Sequence, residues 1–286
     1  MSGVVSRWLA PAVLGLYCTF ANAHDFWLQP NEYWLQPGVE TPLTVQVGHG
    51  TSRQRSPIPM RRVIRFEAFE PEGTTKDLRS ALHLREPDSD ATLRFETPGA
   101  HVLVLETDNR ARSYLPADRF NSYLREEGLT TALAYREATQ QMQTSGAENY
   151  RRVAKSIVQV GAVQSATQAL VTRPLGLLLE IVPERSPYAE PCEASLPVRV
   201  LYENQPLAGA MVKLTHVEHD DSTFETRITD AAGGARFSLP RFDSWRLNVV
   251  WTKPPPTSSE VNFETVFSSL SFGFVGSTAS DDCLFR

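Results

Sequence analysis

Short segments in which apolar and polar residues alternate, each closed by proline or glycine, recur along most of this 286-residue chain. A period of two puts successive side chains on opposite faces of a strand, and frequent breakers keep the strands short. Thr41–Val47, Val63–Phe69, Thr92–Glu96 and His101–Glu106 read as strands of a first unit. Leu177–Val182, Leu196–Tyr202, Met211–Leu214, Ala235–Leu239, Arg246–Trp251 and Leu270–Phe274 read as strands of a second. About seven short strands in about 100 residues is the pattern of an immunoglobulin-like sandwich. The 20 prolines, spread through the chain, argue for turns and strands over long helical bundles.

The middle changes period. Residues 117–127 set Phe120, Tyr123 and Leu124 on one helical face, with Gly128 as a stop. Thr130–Gln143 reads as a second helix and Glu148–Val160 as a third, with Tyr150, Val153, Ile157 and Val160 near helical spacing. The predicted fold is therefore mainly β. An N-terminal sandwich spans residues 24–115, a helical insertion 116–162 and an immunoglobulin-like C-terminal sandwich 175–286. Tyr123, Tyr150 and the insertion are expected to brace the two sandwiches.

Residues 1–23 are excluded from this fold. Met1–Arg7 is short with one positive charge, Trp8–Phe20 is apolar apart from Thr19, and Ala21-Asn22-Ala23 has the small-x-small form of a signal peptidase site. A span needs about 20 apolar residues, which this run does not supply. Tyr17 before Cys18 makes a poor lipobox. An exported, periplasmic protein beginning at His24, without a transmembrane anchor, is expected. Its remaining cysteines, Cys192 and Cys283, form an even pair in an oxidising compartment, which predicts one disulfide. Net charge is −5, and no basic patch points to nucleic acid.

A mature N-terminal His24 offers two nitrogens to one metal, its free amine and its imidazole. Neither holds its proton tightly near neutral pH, and nitrogen donors suit nickel, cobalt, copper and zinc. Asp25 follows directly and offers an oxygen. His49 stands between two glycines in Val47-Gly48-His49-Gly50, which lets the backbone bend and exposes the ring. His101 on an apolar strand, and His216 and His219 in His-Val-Glu-His, are weaker candidates. Positions i and i+3 of a strand face opposite ways, so that pair chelates together only if it lies in a loop. His83 sits in a charged segment and reads as surface. No zinc-protease helix motif, nucleophile elbow or phosphate loop is present, no carboxylate spacing singles out a glycosidase pair, and bonded cysteines leave no thiol nucleophile. Binding is expected, not catalysis.

Ala23–Pro30, Val47–Gly50, Phe120–Leu129, Tyr150–Ser156, Leu179–Pro183, Pro206–Ala210 and the Thr229-Asp230 turn together resemble the bacterial DUF4198 proteins. These are similar to the periplasmic, NikM-like component of nickel and cobalt uptake systems. The resemblance implies an exported β-rich protein that binds a divalent transition metal, nickel or cobalt, supports its uptake, and works beside a membrane metal transporter. Carried over by position, His24 and His49 are the implied ligands. Many members have a histidine near the position of Trp251; tryptophan here implies one ligand fewer or another use, and a large aromatic is expected to pack in the core. The second sandwich also resembles carboxypeptidase-regulatory-like domains. Two other readings stand beside this one: a non-catalytic envelope interaction module, and a copper-binding redox protein built on an N-terminal histidine.

Overall fold

The computed structural model describes residues 25–189, 191, 193–254 and 260–274. The signal segment, His24, Cys192 and Cys283 lie outside the described residues, and with them the disulfide. The strands of the N-terminal half are β1 (Phe26–Pro30), β2 (Trp34–Leu35), β3 (Glu40–Val47), β4 (Gln54–Arg55), β5 (Val63–Phe69), β6 (Thr75–Asp77), β7 (Ala91–Arg94), β8 (Gly99–Thr107) and β9 (Ala111–Leu115). Helices α1 (Ala117–Glu126) and α2 (Thr130–Ala138) follow, and then the long strand β10 (Gly146–Val160). The C-terminal half contributes β11 (Leu179–Pro183), β12 (Ser195–Tyr202), β13 (Gln205–Pro206), β14 (Met211–His216), β15 (Glu225–Ile228), β16 (Gly234–Ser238), β17 (Ser244–Lys253) and β18 (Phe263–Gly273).

One ten-stranded sheet runs through both halves in the order β15-β14-β17-β18-β10-β8-β5-β6, with β2 and β9 also pairing to β10. The join is the parallel pair β10–β18, in register from Glu148 opposite Phe263 to Ser156 opposite Ser271. A four-stranded sheet of β1, β3, β4 and β7 covers part of one face, and a second of β11, β12, β13 and β16 covers the other. The two sandwiches thus share their central wall. Alternation along β10 shows it directly: Val153 and Ile157 enter the core under β11 and β12, while Ala154, Val158 and Val160 enter the core under β1 and β3.

The third predicted helix, Glu148–Val160, is therefore corrected to a strand, β10. From Val153 onward every residue is buried on both faces, so no polar alternation marks it. A short apolar run of this kind satisfies helical and strand spacing equally. The insertion is reduced to α1 and α2, which lie on the same face as β1 and β3 and beside them. Phe120, Tyr123, Leu124, Leu129 and Ala132 pack there on Val250, Phe263 and Phe267. Tyr150 meets Phe267 edge-on at 5.7 Å. These residues brace helices to the shared sheet, and do not bridge two separate sandwiches. Trp251 packs against the hydrophobic clusters of the sheet, as expected. Among the described residues no helix is long and apolar enough to cross a membrane.

Candidate functional site

Between the β1–β3 sheet and helix α1, over the face of the shared sheet, lies a cavity of about 600 Å³. Period two explains its floor. On β14, Val212 and Leu214 point into the core, so Lys213 and Thr215 point up into the cavity. Helix α1 and the residues just after it supply Asp118, Arg119, Ser122, Tyr123, Glu126 and Glu127; Asp25 and His49 come from the other wall, and Asp220 and Asp221 from the loop after β14. Six carboxylates thus line it against two cationic side chains. Glu127 Oε2 accepts from Lys213 Nζ at 2.9 Å. Burial pushes the Glu127 carboxyl up, and the ammonium opposes that shift.

The register of β1 against β3 delivers the chain to the cavity rim. Phe26 pairs with Val47, and the Gly48 N–H then donates to the Asp25 carbonyl at 2.9 Å. Gly48 has φ +99°, and a Cβ there would stand 2.6 Å from the Ser52 carbonyl oxygen. Only glycine fits that backbone. Gly50, at φ +50°, leaves room for Asp221 Oδ1, which a Cβ would approach to 2.6 Å, and its N–H donates to Asp220 Oδ1 at 2.9 Å. The two glycines that flank His49 therefore supply the bend that the sequence implied, and Gly50 also clasps the 220–221 loop. Replacing Gly48 by alanine is expected to destabilise the protein by about 2 kcal/mol, read as a lower urea midpoint with an unchanged slope.

Asp25 has a role the sequence did not reveal. Its Oδ2 is 2.6 Å from Arg246 Nη2 on β17, an ion pair in which the guanidinium is wholly buried. The same guanidinium stands over the Trp27 ring at 3.9 Å, and Arg246 Nε donates to Asn248 Oδ1 at 2.7 Å. Arg53 approaches the same ring at 5.2 Å and donates to the Val217 carbonyl and to Gln29 Oε1. Asp25 is thus an anchor, with one oxygen engaged by arginine.

The weaker histidine candidates lie away from the cavity wall. His101 is fully buried, its Nε2 2.8 Å from the Thr97 carbonyl and its ring 4.7 Å from Phe95; burial lowers its pKa, and it belongs to the core. His216 ends β14 and His219 follows in the turn, their rings stacked at 4.8 Å. His216 Nδ1 accepts the Glu218 and His219 amides, and its Nε2 lies 3.1 Å from Asp243 Oδ2. Both nitrogens are occupied, so the loop geometry that would let the pair chelate is used for a turn. Among the described residues no three His, Cys, Asp or Glu side chains converge as a metal-binding group. His49 is the one described histidine on the cavity wall.

Lys213, Glu127 and Arg246 escaped the sequence reading. A lone arginine within the apolar strand Trp245-Arg246-Leu247 was the available signal, since a buried charge needs a partner.

A family model described as a domain of unknown function, DUF4198, matches residues 21–253. The chain belongs to that family. The matched span takes in the cavity, from Asp25 through the floor strand β14 to Arg246. No curated protein matches this DUF4198 chain. Among solved structures it is similar to the D0-D1 domain of intimin, at 11% identity over 86% of this chain and 97% of that one, with a TM-score of 0.21. It is also similar to the BSP domain of a biofilm associated protein (10% identity, 88% of this chain, 30% of that one, TM-score 0.19). A third is a Salmonella alpha-2-macroglobulin mutant (10% identity, 87% of this chain, 15% of that one, TM-score 0.21). The chain spans less than a third of the length of these last two. At such scores the likenesses add nothing to the reading of the DUF4198 site.

Proposed function

We propose that this is an exported, periplasmic binding protein that captures a divalent transition metal, nickel or cobalt, at the cavity beside its mature N-terminus and hands it to a membrane transporter. The observation that carries this reading is the Gly48 N–H to Asp25 carbonyl bond of 2.9 Å. It holds Asp25 next to the residue before His49. Consecutive Cα atoms are about 3.8 Å apart, so on this reading cleavage after Ala23 would create an amine and an imidazole tethered one residue from Asp25. Two histidines and an amine are a nitrogen-rich set that suits these metals, and copper and zinc as well.

The surroundings support a cation. Carboxylates outnumber ammonium and guanidinium groups six to two around the cavity, and such an excess draws cations inward. Asp221, held over Gly50 beside His49, is an oxygen donor within the same loop clasp. The role is binding without chemistry on the cargo. Exposed Phe224 and Phe242, both in ring contact with Trp245, favour the second reading, an envelope interaction module.

Isothermal titration of the chain beginning at His24, with nickel, cobalt, copper and zinc, tests the proposal. One-to-one binding is expected, weakened about 100-fold or more by His49→Ala and lost on adding one residue before His24. Copper-only binding with redox turnover would move the protein to copper chemistry. No binding beyond that of an exposed histidine would leave the interaction module.

A further inference from the structure

Three separate segments meet at the cavity rim: the mature N-terminus at Asp25, the His49 loop, and the loop carrying Asp220 and Asp221. None is adjacent to another in sequence. What joins them is one side chain that none of the readings above uses for binding. Arg246 is 0% exposed; Thr215 and Ser271 flank it on the neighbouring strands, and its Nε donates to Asn248 of its own strand. Nη2 reaches Asp25 Oδ2 at 2.6 Å, and Nη1 faces Asp220 Oδ2 at 3.9 Å. Asp220 in turn takes the Gly50 N–H through its other oxygen. Among the described residues neither Arg246 Nη1 nor Asp220 Oδ2, both buried, has a hydrogen-bond partner, and the guanidinium 3.9 Å away compensates that carboxylate. Trp27 stacks on the guanidinium at 3.9 Å and prevents it from swinging away.

We infer that Arg246 is the positioning residue of the site: stacked on Trp27, it pins the mature N-terminus and the 220–221 loop to one point and so sets where the metal donors stand. A planar, permanently charged group with donors fanned in one plane can serve two carboxylates and an aromatic face at once. A lysine in the same place would supply charge without the plane. The role deepens the metal-binding reading, but the pinning itself is measurable without metal.

The test uses the chain beginning at His24, as wild type, Arg246→Gln, Arg246→Lys, Asp25→Asn and the Arg246→Gln/Asp25→Asn double variant. The first arm is amide hydrogen exchange. The Gly48 amide reports the bond to Asp25 and the Gly50 amide the bond to Asp220, while the Asn31 amide, bonded to the Pro42 carbonyl at 2.8 Å, reports the far end of the same strand pair. In Arg246→Gln, exchange is expected to rise about tenfold or more at Gly48 and Gly50 and to stay unchanged at Asn31. Arg246→Lys keeps the fold and gives a smaller rise. The double variant exchanges at Gly48 no faster than Asp25→Asn alone, because the arginine acts there through that carboxylate. The second arm titrates nickel and cobalt, whose affinity should fall about tenfold in Arg246→Gln, with the double variant losing less than the sum of the two single losses.

A uniform rise at all three amides would reduce Arg246 to a core residue and overturn the proposal, as would unchanged exchange at Gly48 and Gly50 in both Arg246 variants. Additive losses of affinity would also overturn it. If wild type takes up no metal, the functional reading fails, and the exchange arm still decides whether Arg246 pins the rim.

Discussion

Lys155→Met is expected to destabilise the protein by about 3–5 kcal/mol, the largest effect of any single substitution considered. Lys155 and Glu180 are both buried, with Nζ 2.8 Å from Oε1. Glu180 also accepts the Leu175 and Leu177 amides, which folds the segment before β11 onto the shared sheet. Burial lowers the Lys155 pKa and the carboxylate opposes that shift. Removing the ammonium leaves the buried Glu180 carboxyl with the Leu175 and Leu177 amides but without its cationic partner. Urea denaturation reads the loss as a lower midpoint at an unchanged slope. A change under about 1 kcal/mol would mean that the pair is no better than an exposed one.

Glu148→Gln is expected to act in the opposite direction, increasingly as pH rises above about 4.5. Glu148 is buried at the base of helix α1. Thr265 Oγ1 donates to its Oε2 at 2.5 Å, and the Tyr123 hydroxyl approaches the same oxygen at 3.4 Å. Burial pushes its carboxyl from 4.5 up to about 7, against the opposing pull of those two hydroxyls. The folded state therefore binds more protons than the unfolded state between these values. Stability contributed at this position falls as pH rises from about 4.5 through about 7 and stays low beyond. A neutral glutamine keeps an acceptor for Thr265 and removes the charge. The variant should match wild type near pH 4 and exceed it by about 3 kcal/mol near pH 8. Thermal melting of both proteins across that range checks the sign; a constant difference at all pH values would show that Glu148 does not titrate in the folded state.

Much of the architecture was legible because its signals are local. Val63–Phe69 and Leu196–Tyr202 alternate strictly enough to name their strands, and Phe120, Tyr123 and Leu124 mark helix α1 by their spacing. The failure at Glu148–Val160 is equally physical. A strand buried on both faces has no polar side to reveal its period, and β10 even carries Lys155 and Gln159 in the interior. The candidate site divides in the same way. His49 between Gly48 and Gly50 announced itself, because a turn that demands positive φ can be read from two residues. Asp25 was seen as an oxygen donor, but its partner Arg246 lies 221 positions away along the chain. The histidine pair at 216 and 219 depended on whether β14 ended before or after it, a choice made by the turn amides that Nδ1 accepts.

The sequence by itself determined a mainly β chain, its two short helices, the bend around His49 and the membership in DUF4198, since each rests on periodicity, glycine conformation or a motif carried by neighbouring residues. Only the tertiary structure decided that the sandwiches share one ten-stranded sheet, that an acidic cavity opens beside Asp25, and that Arg246 with Trp27 ties its rim together. Those outcomes come from pairings between distant strands. Two alternating segments carry the information that each has a buried face, and nothing in either one states which partner will bury it.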